Sequence, residues 1–137
     1  MILLKTTEYA IRVLTFMARD ETQLFSAKYL HGQLGIPYKY LTNLMTGLAR
    51  NGYLISVQGR DGGFKISKKL SEITLATIIE TTQGMDSFDG CVLGFYECSD
   101  SNPCAMHYVW QDNRDNFLST IKNTTLDDLA GMNITKH

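Results

Sequence analysis

Residues 26–64 of the chain, SAKYLHGQLGIPYKYLTNLMTGLARNGYLISVQGRDGGF, decide the fold. Ser26 can cap a short helix, and Gly35 can end it. Pro37 suits the first position of a second helix over residues 37–51, because its fixed φ angle is already helical. Two helices joined by a short turn that contains glycine form the helix-turn-helix pattern.

A predicted β-hairpin follows directly after the second of these helices. Residues 53–58 (YLISVQ) alternate in polarity, residues 59–63 (GRDGG) have the composition of a turn, and residues 64–67 (FKIS) alternate again. A hairpin placed there is the layout of a winged helix. The sequence therefore predicts a mainly α-helical fold with a small β-hairpin wing.

Further helices are predicted on both sides of this unit. Residues 5–19 (KTTEYAIRVLTFMAR) have the periodicity of an amphipathic helix, which Thr6 or Thr7 can cap. Residues 71–84 predict another helix, with Ser71 as its cap. We therefore interpret residues 1–84 as a winged helix-turn-helix DNA-binding domain.

The C-terminal part of the chain combines a long loop with a long helix. Residues 85–102 have little periodicity, whereas a helix is predicted from Pro103 to about residue 123. The apolar face of this helix comprises Met106, Val109, Trp110, Phe117, Leu118 and Ile121. We interpret residues 103–137 as a dimerisation helix and tail, because so small a body leaves such a helix no obvious partner. Packing back onto its own chain is the alternative.

Composition and charge limit the classes of function. The 137 residues are 44% hydrophobic and 20% charged, and no apolar run reaches the ~20 residues that span a bilayer. The N-terminus lacks the layout of a signal peptide, so we expect a cytoplasmic protein without membrane contact. We find no constellation of an enzyme, since neither His31 nor His107 has a serine or acid placed beside it by the sequence.

The two halves of the chain carry opposite charge. Residues 1–70 contain ten Lys and Arg against four Asp and Glu, whereas residues 71–137 contain three against ten. A basic first half indicates a polyanionic partner such as double-stranded DNA, which an acidic second half would avoid. Chance distribution over two solvated faces is the alternative.

Candidate DNA contacts are the positions of helix 37–51 that remain after the inward-facing apolar residues are removed. These candidates are Tyr38, Lys39, Tyr40, Thr42, Asn43 and Arg50. Asn can pair with adenine and Thr can contact a thymine methyl, whereas Lys and Arg hold phosphates. Lys28, Gln58 and Arg60 complete the set, and Arg60 at the wing tip is placed to enter a minor groove. Alternatively, either tyrosine only covers the helix start, and Arg60 only pairs with Asp61.

All three cysteines and one histidine fall within residues 90–107 (GCVLGFYECSDSNPCAMH). The spacing C-x6-C-x5-C-x2-H is wider than the usual zinc knuckle, whereas iron–sulfur clusters tolerate such gaps. Cys104 is predicted in the first turn of the long helix, where the helix dipole favours the thiolate, and His107 should share its face. A redox disulfide, a zinc site and a surface role for His107 are the alternatives.

These segments together resemble the Rrf-two family of winged helix-turn-helix transcription regulators, which includes the cluster regulator IscR and the nitric-oxide sensor NsrR. The resemblance is carried by TTEYAIRVLTFMA at residues 6–18, by residues 26–64, and by three cysteines ahead of a long helix. It implies a homodimer that crosses its long helices and reads a two-fold operator. It also implies that Cys91, Cys98 and Cys104 hold an iron–sulfur cluster.

The resemblance leaves the fourth cluster ligand open. His107 matches the histidine of members with a two-iron cluster. Glu8 matches the position from which some members supply an aspartate to the partner subunit's cluster, although Glu is one methylene longer. The cofactor is therefore expected to be [2Fe-2S] or [4Fe-4S].

The expected function is that of a sequence-specific repressor whose DNA affinity is controlled by this cluster, which would sense nitric oxide, redox state or cluster supply. The alternative is a regulator of the same fold that uses a cysteine thiol–disulfide switch or a small-molecule effector. A small electron-transfer or cluster-carrier protein is disfavoured by the helix-turn-helix and the wing.

Overall fold

Residues 3–132, the part of the chain that this computed structural model describes, form six α-helices and one β-hairpin. The elements are α1 Lys5–Met17, α2 Ala27–Leu34, α3 Tyr38–Arg50, β1 Leu54–Val57, β2 Gly63–Ile66, α4 Leu75–Thr82, α5 His107–Asn123 and α6 Leu126–Leu129. The predicted mainly α-helical winged-helix fold is confirmed.

Helix α1 lies in the middle of the main hydrophobic core. Its predicted caps are wrong, because Leu4 holds the N-cap position without a side-chain hydrogen bond and both threonines lie inside the helix. Thr7 is buried, and its hydroxyl lies 2.7 Å from the Thr82 hydroxyl of α4. Thr6 hydrogen bonds to α3. These hydroxyls therefore join α1 to its neighbours instead of starting it.

Helices α2 and α3 form the predicted helix-turn-helix. The Ser26 hydroxyl accepts the Tyr29 backbone N–H at 3.1 Å, and Gly35 ends α2 in the left-handed conformation with φ 69°. The sequence predicts Pro37 as the first residue of α3, and this is wrong. Pro37 is the N-cap of the helix, with an extended ψ of 133°. Helical geometry begins at Tyr38.

The wing is an antiparallel hairpin that the segment before α2 extends. Leu54 lies opposite Ile66 in the ladder. Phe25 adds a third strand-like pairing, since Phe25 and Phe64 exchange both backbone hydrogen bonds at 2.8 Å. Gly63 permits this approach, because a Cβ there would lie 2.8 Å from the Phe25 carbonyl oxygen.

Helix α4 begins later than the predicted helix 71–84. Ser71 lies in a 3-10 turn, Leu70–Glu72, and the cap is Thr74. Thr74 and Thr77 form a capping box, in which each hydroxyl accepts the other residue's backbone N–H at 3.0 to 3.2 Å. Two satisfied donors at this point explain why the helix starts here.

Helix α5 also begins later than predicted, at His107 instead of Pro103. A tight turn precedes it, in which Ser99 and Asn102 exchange backbone hydrogen bonds at 3.1 and 3.3 Å. Cys104 is therefore outside the helix, where its carbonyl accepts the His107 backbone N–H at 3.1 Å.

The predicted apolar face of α5 divides into two parts. Ile121 is buried with Ile79 and Phe88 in a second core cluster, against which Phe117 and Leu118 pack. At the other end, the N-cap Met106 and Val109 in the first turns of the helix are exposed at 39% and 54%. Packing onto its own chain, the alternative interpretation, thus holds for the C-terminal half of the helix.

Helix α6 closes the main core next to the start of α4. The Leu75 backbone N–H donates to the Thr124 carbonyl, and Leu126 N–H donates to the Ile73 carbonyl, both at 2.9 Å. Leu126 itself is fully buried. Residues 133–137 of the predicted tail lie outside the described residues.

Candidate metal centre and nucleic-acid interface

The sulfur atoms of the three cysteines converge on one point between the loop and the start of α5. The Sγ atoms of Cys91, Cys98 and Cys104 all lie within 4.8 Å of one another, and each residue is half-buried. The sulfurs of Cys91 and Cys104 are 3.5 Å apart. Within residues 3–132 no other group of three His, Cys, Asp or Glu side chains converges in this way.

The pKa values of the Cys91 and Cys104 thiols are shifted in opposite directions. Desolvation acts to raise the pKa of Cys91, but the backbone N–H groups of Phe95 and Leu93 and the other two thiols outweigh it, so the pKa is about 7. Desolvation raises the pKa of Cys104, and the neighbouring Cys91 raises it further. Near neutral pH the thiolate form is therefore more populated at Cys91 than at Cys104.

The expectation that the α5 dipole lowers the pKa of Cys104 is wrong. Cys104 precedes the helix by three residues, and Met106 rather than Cys104 adjoins the helix start as the N-cap. Cys104 and His107 are therefore not neighbours on one helical face. The Met106 backbone N–H at the N-cap does favour the Cys104 thiolate, but desolvation outweighs it, whereas the loop N–H groups of Phe95 and Leu93 lower the pKa of Cys91.

His107 lies beside the sulfur group at the first position of α5. Its Nδ1 is 3.2 Å from the Cys98 Sγ, and its Nε2 is 2.8 Å from an oxygen of Asp100. The His107 side chain is only 15% exposed, so it is not a solvent-facing residue of the helix surface. A fourth candidate donor thus lies beside the Cys98 sulfur, although His107 is not among the residues whose donor atoms all lie within 4.8 Å of one another.

One face of α5 holds the beginning of the cysteine loop. The Trp110 indole N–H donates to the Gly90 carbonyl at 2.8 Å, and the Arg114 guanidinium donates to the Asp89 carbonyl at 3.2 Å. His107, Trp110 and Arg114 are spaced by three and four residues and therefore share this face. The residues just before Cys91 are thereby attached to the long helix.

Glu8 lies on α1 and pairs within its own chain. Its carboxylate is 3.2 Å from the Lys5 ammonium. Glu8 is not part of the group formed by Cys91, Cys98 and Cys104. Its role as a ligand supplied to the partner subunit stays a prediction.

Helix α3 presents the predicted DNA-reading positions opposite its buried side. The inward positions Leu41, Leu44, Met45 and Leu48 are buried. Lys39, Asn43 and Arg50 are exposed, whereas Thr42 is half-buried and its hydroxyl donates to the Lys39 carbonyl at 2.9 Å. Among the side-chain hydrogen bonds and ion pairs of residues 3–132, none involves the side chain of Lys39, Asn43 or Arg50, so their exposed amide and cations can reach a DNA duplex laid along α3.

The two tyrosines at the start of α3 differ. Tyr40 hydrogen bonds to the Thr6 hydroxyl and stands edge-on to Tyr9, with ring centroids 5.3 Å apart, so it joins α3 to α1. Tyr38 is 51% exposed and only touches the His31 ring edge-on. Tyr38 is therefore the tyrosine that is better placed to contact DNA.

The remaining predicted DNA contacts lie outside α3, on α2 and at the wing tip. Lys28 on α2 and Gln58 and Arg60 at the wing tip are exposed. Gln58 donates to the Ser56 hydroxyl at 3.2 Å. Among the ion pairs of residues 3–132 there is none between Arg60 and Asp61, the pairing weighed for Arg60 as an alternative.

Comparison with protein families shows which family the chain belongs to. The family model of Rrf2, described as an iron-dependent transcriptional regulator, matches residues 3–132. The chain belongs to the Rrf2 family. The resemblance seen in the sequence is thereby confirmed, and a regulator fold with a helix-turn-helix implies DNA binding.

Individual relatives agree with the Rrf2 assignment. The HTH-type transcriptional regulator NsrR of Geobacillus kaustophilus is 29% identical over 125 residues, which cover 90% of this chain and 85% of NsrR. The regulator IscR of Pectobacterium atrosepticum is 32% identical over 96 residues, 70% of this chain and 58% of IscR. These relatives are transcriptional regulators and not enzymes, as predicted.

A solved structure shows the same fold. CymR (YrzC), described as the global cysteine regulator of B. subtilis, superposes with a TM-score of 0.80 at 22% identity, covering 97% of this chain and 98% of CymR. At this identity the likeness concerns the fold alone. In the described part of this Rrf2 chain, no helix has the length and apolarity to span a membrane.

Sequence reasoning did not find three residues that contact the site of this Rrf2 member. The sequence places Trp110 only on the apolar face of the long helix, and it gives no role to Arg114 or Asp100. The spacing of Trp110 and Arg114 from His107 on one helix is a readable signal. Asp100 lies in a loop without periodicity, so the sequence offers no comparable signal for it.

Apolar side chains surround the sulfur group on its outer side. Those exposed at 40% or more are Val92, Leu93, Phe95, Tyr96, Tyr108 and Val109. Leu93 and Phe95 line an open cleft of about 800 Å³ that also contacts Cys98 and Cys104. The site thus lies at the edge of an apolar surface.

Proposed function

We propose that the chain is a DNA-binding transcription regulator, a repressor, whose affinity for its operator depends on an iron–sulfur cluster held by Cys91, Cys98, Cys104 and His107. The observation that carries the proposal is the convergence of three sulfurs within 4.8 Å on a loop attached to α5. The signal would be nitric oxide, redox state or cluster supply.

The donor set suits such a cluster. Iron–sulfur clusters take four protein ligands, mostly thiolates, and histidine replaces cysteine in some of them. Three sulfurs and the His107 Nδ1 beside Cys98 would supply that number, and the lowered pKa of Cys91, about 7, makes its thiolate accessible near neutral pH. A bound cluster would supply the reactivity toward nitric oxide and oxidants that the side chains lack.

The contacts of α5 suggest how the site communicates with the DNA-reading helix. Trp110 and Arg114 attach the loop to the N-terminal half of α5, and the C-terminal half packs on α4 through Ile121 and Ile79. Helix α4 in turn contacts α1, which Tyr40 joins to α3. A change at the loop therefore has a continuous packed route to the recognition helix.

The proposal requires a homodimer in the cytoplasm. The exposed apolar residues of the N-terminal half of α5, including Tyr108 and Val109, offer a surface for a second copy. A dimer presents two α3 helices to two half-sites one helical turn of DNA apart, about 34 Å. A small reorientation of the α5 helices would then change how both half-sites are reached.

The test compares DNA affinity with and without the cofactor. Binding sites are selected from a random DNA pool with the cluster-loaded protein, and Kd is measured by fluorescence anisotropy under anaerobic conditions. We expect loaded and cofactor-free wild type to differ by tenfold or more. A variant with all three cysteines changed to serine should show no difference between the two treatments. Equal affinity of loaded and cofactor-free wild type would contradict the proposal.

A thiol switch without a cluster is the second candidate, and the 3.5 Å separation of the Cys91 and Cys104 sulfurs favours it. Two thiols in contact can form a disulfide when a peroxide accepts their two electrons and two protons and leaves as water. Mass spectrometry after peroxide treatment of the cofactor-free protein would reveal that bond. DNA affinity that follows the disulfide, in a protein that takes up no iron and sulfide, would favour this function.

A further inference from the structure

The His107 ring is held between two partners on opposite sides. Its Nδ1 faces the Cys98 sulfur at 3.2 Å, and its Nε2 faces the Asp100 carboxylate at 2.8 Å. Asp100 is 79% exposed, whereas His107 is largely enclosed. The carboxylate therefore lies on the solvent side of the ring and the Cys98 sulfur on the inner side.

The hydrogen bond with Asp100 decides which nitrogen carries the proton. An ionised carboxylate only accepts hydrogen bonds, so Nε2 must be the protonated nitrogen of a neutral ring. The lone pair of Nδ1 then points toward Cys98, where a thiol can donate to it. A metal needs this same lone pair, and a carboxylate behind a histidine ligand is a common means of presenting it.

The backbone keeps Asp100 in place for this contact. Asp100 lies in the tight turn closed by the two backbone hydrogen bonds between Ser99 and Asn102. The Ser99 and Ser101 hydroxyls, 3.0 Å apart, bridge the same turn. The carboxylate is thus presented to the ring by a short, locally closed segment and not by a free loop.

We propose that Asp100 is a positioning residue that fixes the His107 ring with Nδ1 toward the sulfurs, so that His107 completes the cluster site through Nδ1. This inference rests on the proposed function for the cluster, but the ring orientation also applies to the cofactor-free protein. Without Asp100, both neutral tautomers and a flipped ring become accessible. Retention of the cluster should then fall.

The first experiment uses the cofactor-free protein. Long-range proton–nitrogen NMR spectra of uniformly 15N-labelled protein, at a pH where the ring is neutral, identify the protonated nitrogen of His107. We expect the Nε2-protonated form in the wild type and a mixture of tautomers in Asp100→Ala. Asp100→Asn should retain the wild-type form, because its amide oxygen can accept the same hydrogen bond. A wild type with protonated Nδ1, or an unchanged tautomer in Asp100→Ala, would overturn the inference.

The second experiment measures retention in reconstituted protein. The visible absorption of the cluster is followed after a chelator is added, and Asp112→Ala serves as the control, since it removes an exposed carboxylate from α5 itself. Loss of a partner behind a metal ligand typically costs about 10–100-fold in affinity, so we expect loss at least tenfold faster in Asp100→Ala and unchanged in Asp112→Ala. Equal rates in Asp100→Ala and wild type would overturn the inference while leaving the cluster itself established. Failure of the wild type to take up iron and sulfide would instead refute the proposed function, and with it this role of Asp100.

Discussion

At the scale of single residues, the site depends on differences between cysteines that the sequence makes look equivalent. Cys91 receives backbone N–H groups from Phe95 and Leu93, which lower its pKa, whereas desolvation raises the pKa of the neighbouring Cys104 despite one backbone N–H from Met106. The sequence indicates the three cysteines of one loop as candidate ligands, and their sulfurs lie within 4.8 Å of one another, while their role as cluster ligands stays a prediction. It could not assign their acidities, since these depend on the loop backbone and not on the helix dipole.

This asymmetry predicts the reactivity of the cofactor-free protein. The pKa of Cys91 is lowered to about 7, so its thiolate is populated above that pH, whereas the raised pKa of Cys104 delays its thiolate to alkaline pH. We expect iodoacetamide to alkylate Cys91 first, with a rate that rises through pH 7. Tandem mass spectrometry locates the label. Faster labelling of Cys104 at pH 7 would contradict this assignment.

A second prediction at the scale of residues concerns Arg60 and DNA binding. Its exposed guanidinium at the wing tip should neutralise a phosphate or enter the minor groove, so Arg60→Ala should weaken binding to all sequences. Each phosphate contact contributes about 0.9 to the slope of log K against log salt, and we expect the slope to fall by about that amount. Lys122→Ala on α5 serves as the control and should leave the slope unchanged. An unaltered slope in Arg60→Ala would remove the wing tip from the interface.

At the scale of secondary-structure elements, α5 has a different partner at each end. Its N-terminal half holds the cysteine loop through Trp110 and Arg114, and its C-terminal half packs against Phe88 and Ile79. A helix that is attached to both the candidate site and the DNA-binding body can transmit a change between them. This attachment is a physical link, and a substitution within it tests the energetic coupling.

Trp110→Phe tests this link. The substitution keeps an aromatic ring but removes the indole N–H that donates to the Gly90 carbonyl. We expect the protein still to bind the cluster, because all four proposed ligands remain, but the difference in operator Kd between loaded and cofactor-free protein should shrink severalfold. Fluorescence anisotropy with both forms measures it. A Kd difference equal to that of the wild type would show that this hydrogen bond does not carry the coupling.

The elements show where sequence reasoning succeeds and where it stops. Apolar periodicity located α1, which buries one continuous stripe against the core, whereas Ser26, Gly35 and Pro37 located α2 and α3. The starts of α4 and α5 were misplaced, since the Thr74–Thr77 capping box and the turn at residues 99–102 compete locally with the helix. Proline and serine cap preferences alone do not reveal such competition.

At the scale of the whole molecule, the distribution of charge matches the positions of the predicted DNA contacts and of the cysteine loop. The exposed predicted DNA contacts lie on α2, α3 and the wing, within the basic first half of the chain, while the cysteine loop lies in the acidic second half. DNA and the candidate cofactor site therefore occupy separate regions of one body. Regulation then requires transmission through packed elements and not direct competition for one surface.

The central claim is that residues 91–107 hold an iron–sulfur cluster, and its most direct test is chemical. The full chain is reconstituted anaerobically, and iron, acid-labile sulfide and visible absorption are measured per protomer beside the triple Cys→Ser variant. We predict a coloured wild type with matched iron and sulfide and a colourless variant. A wild type that stays colourless, or that binds a metal without sulfide, would contradict the account and leave a thiol or zinc site in its place.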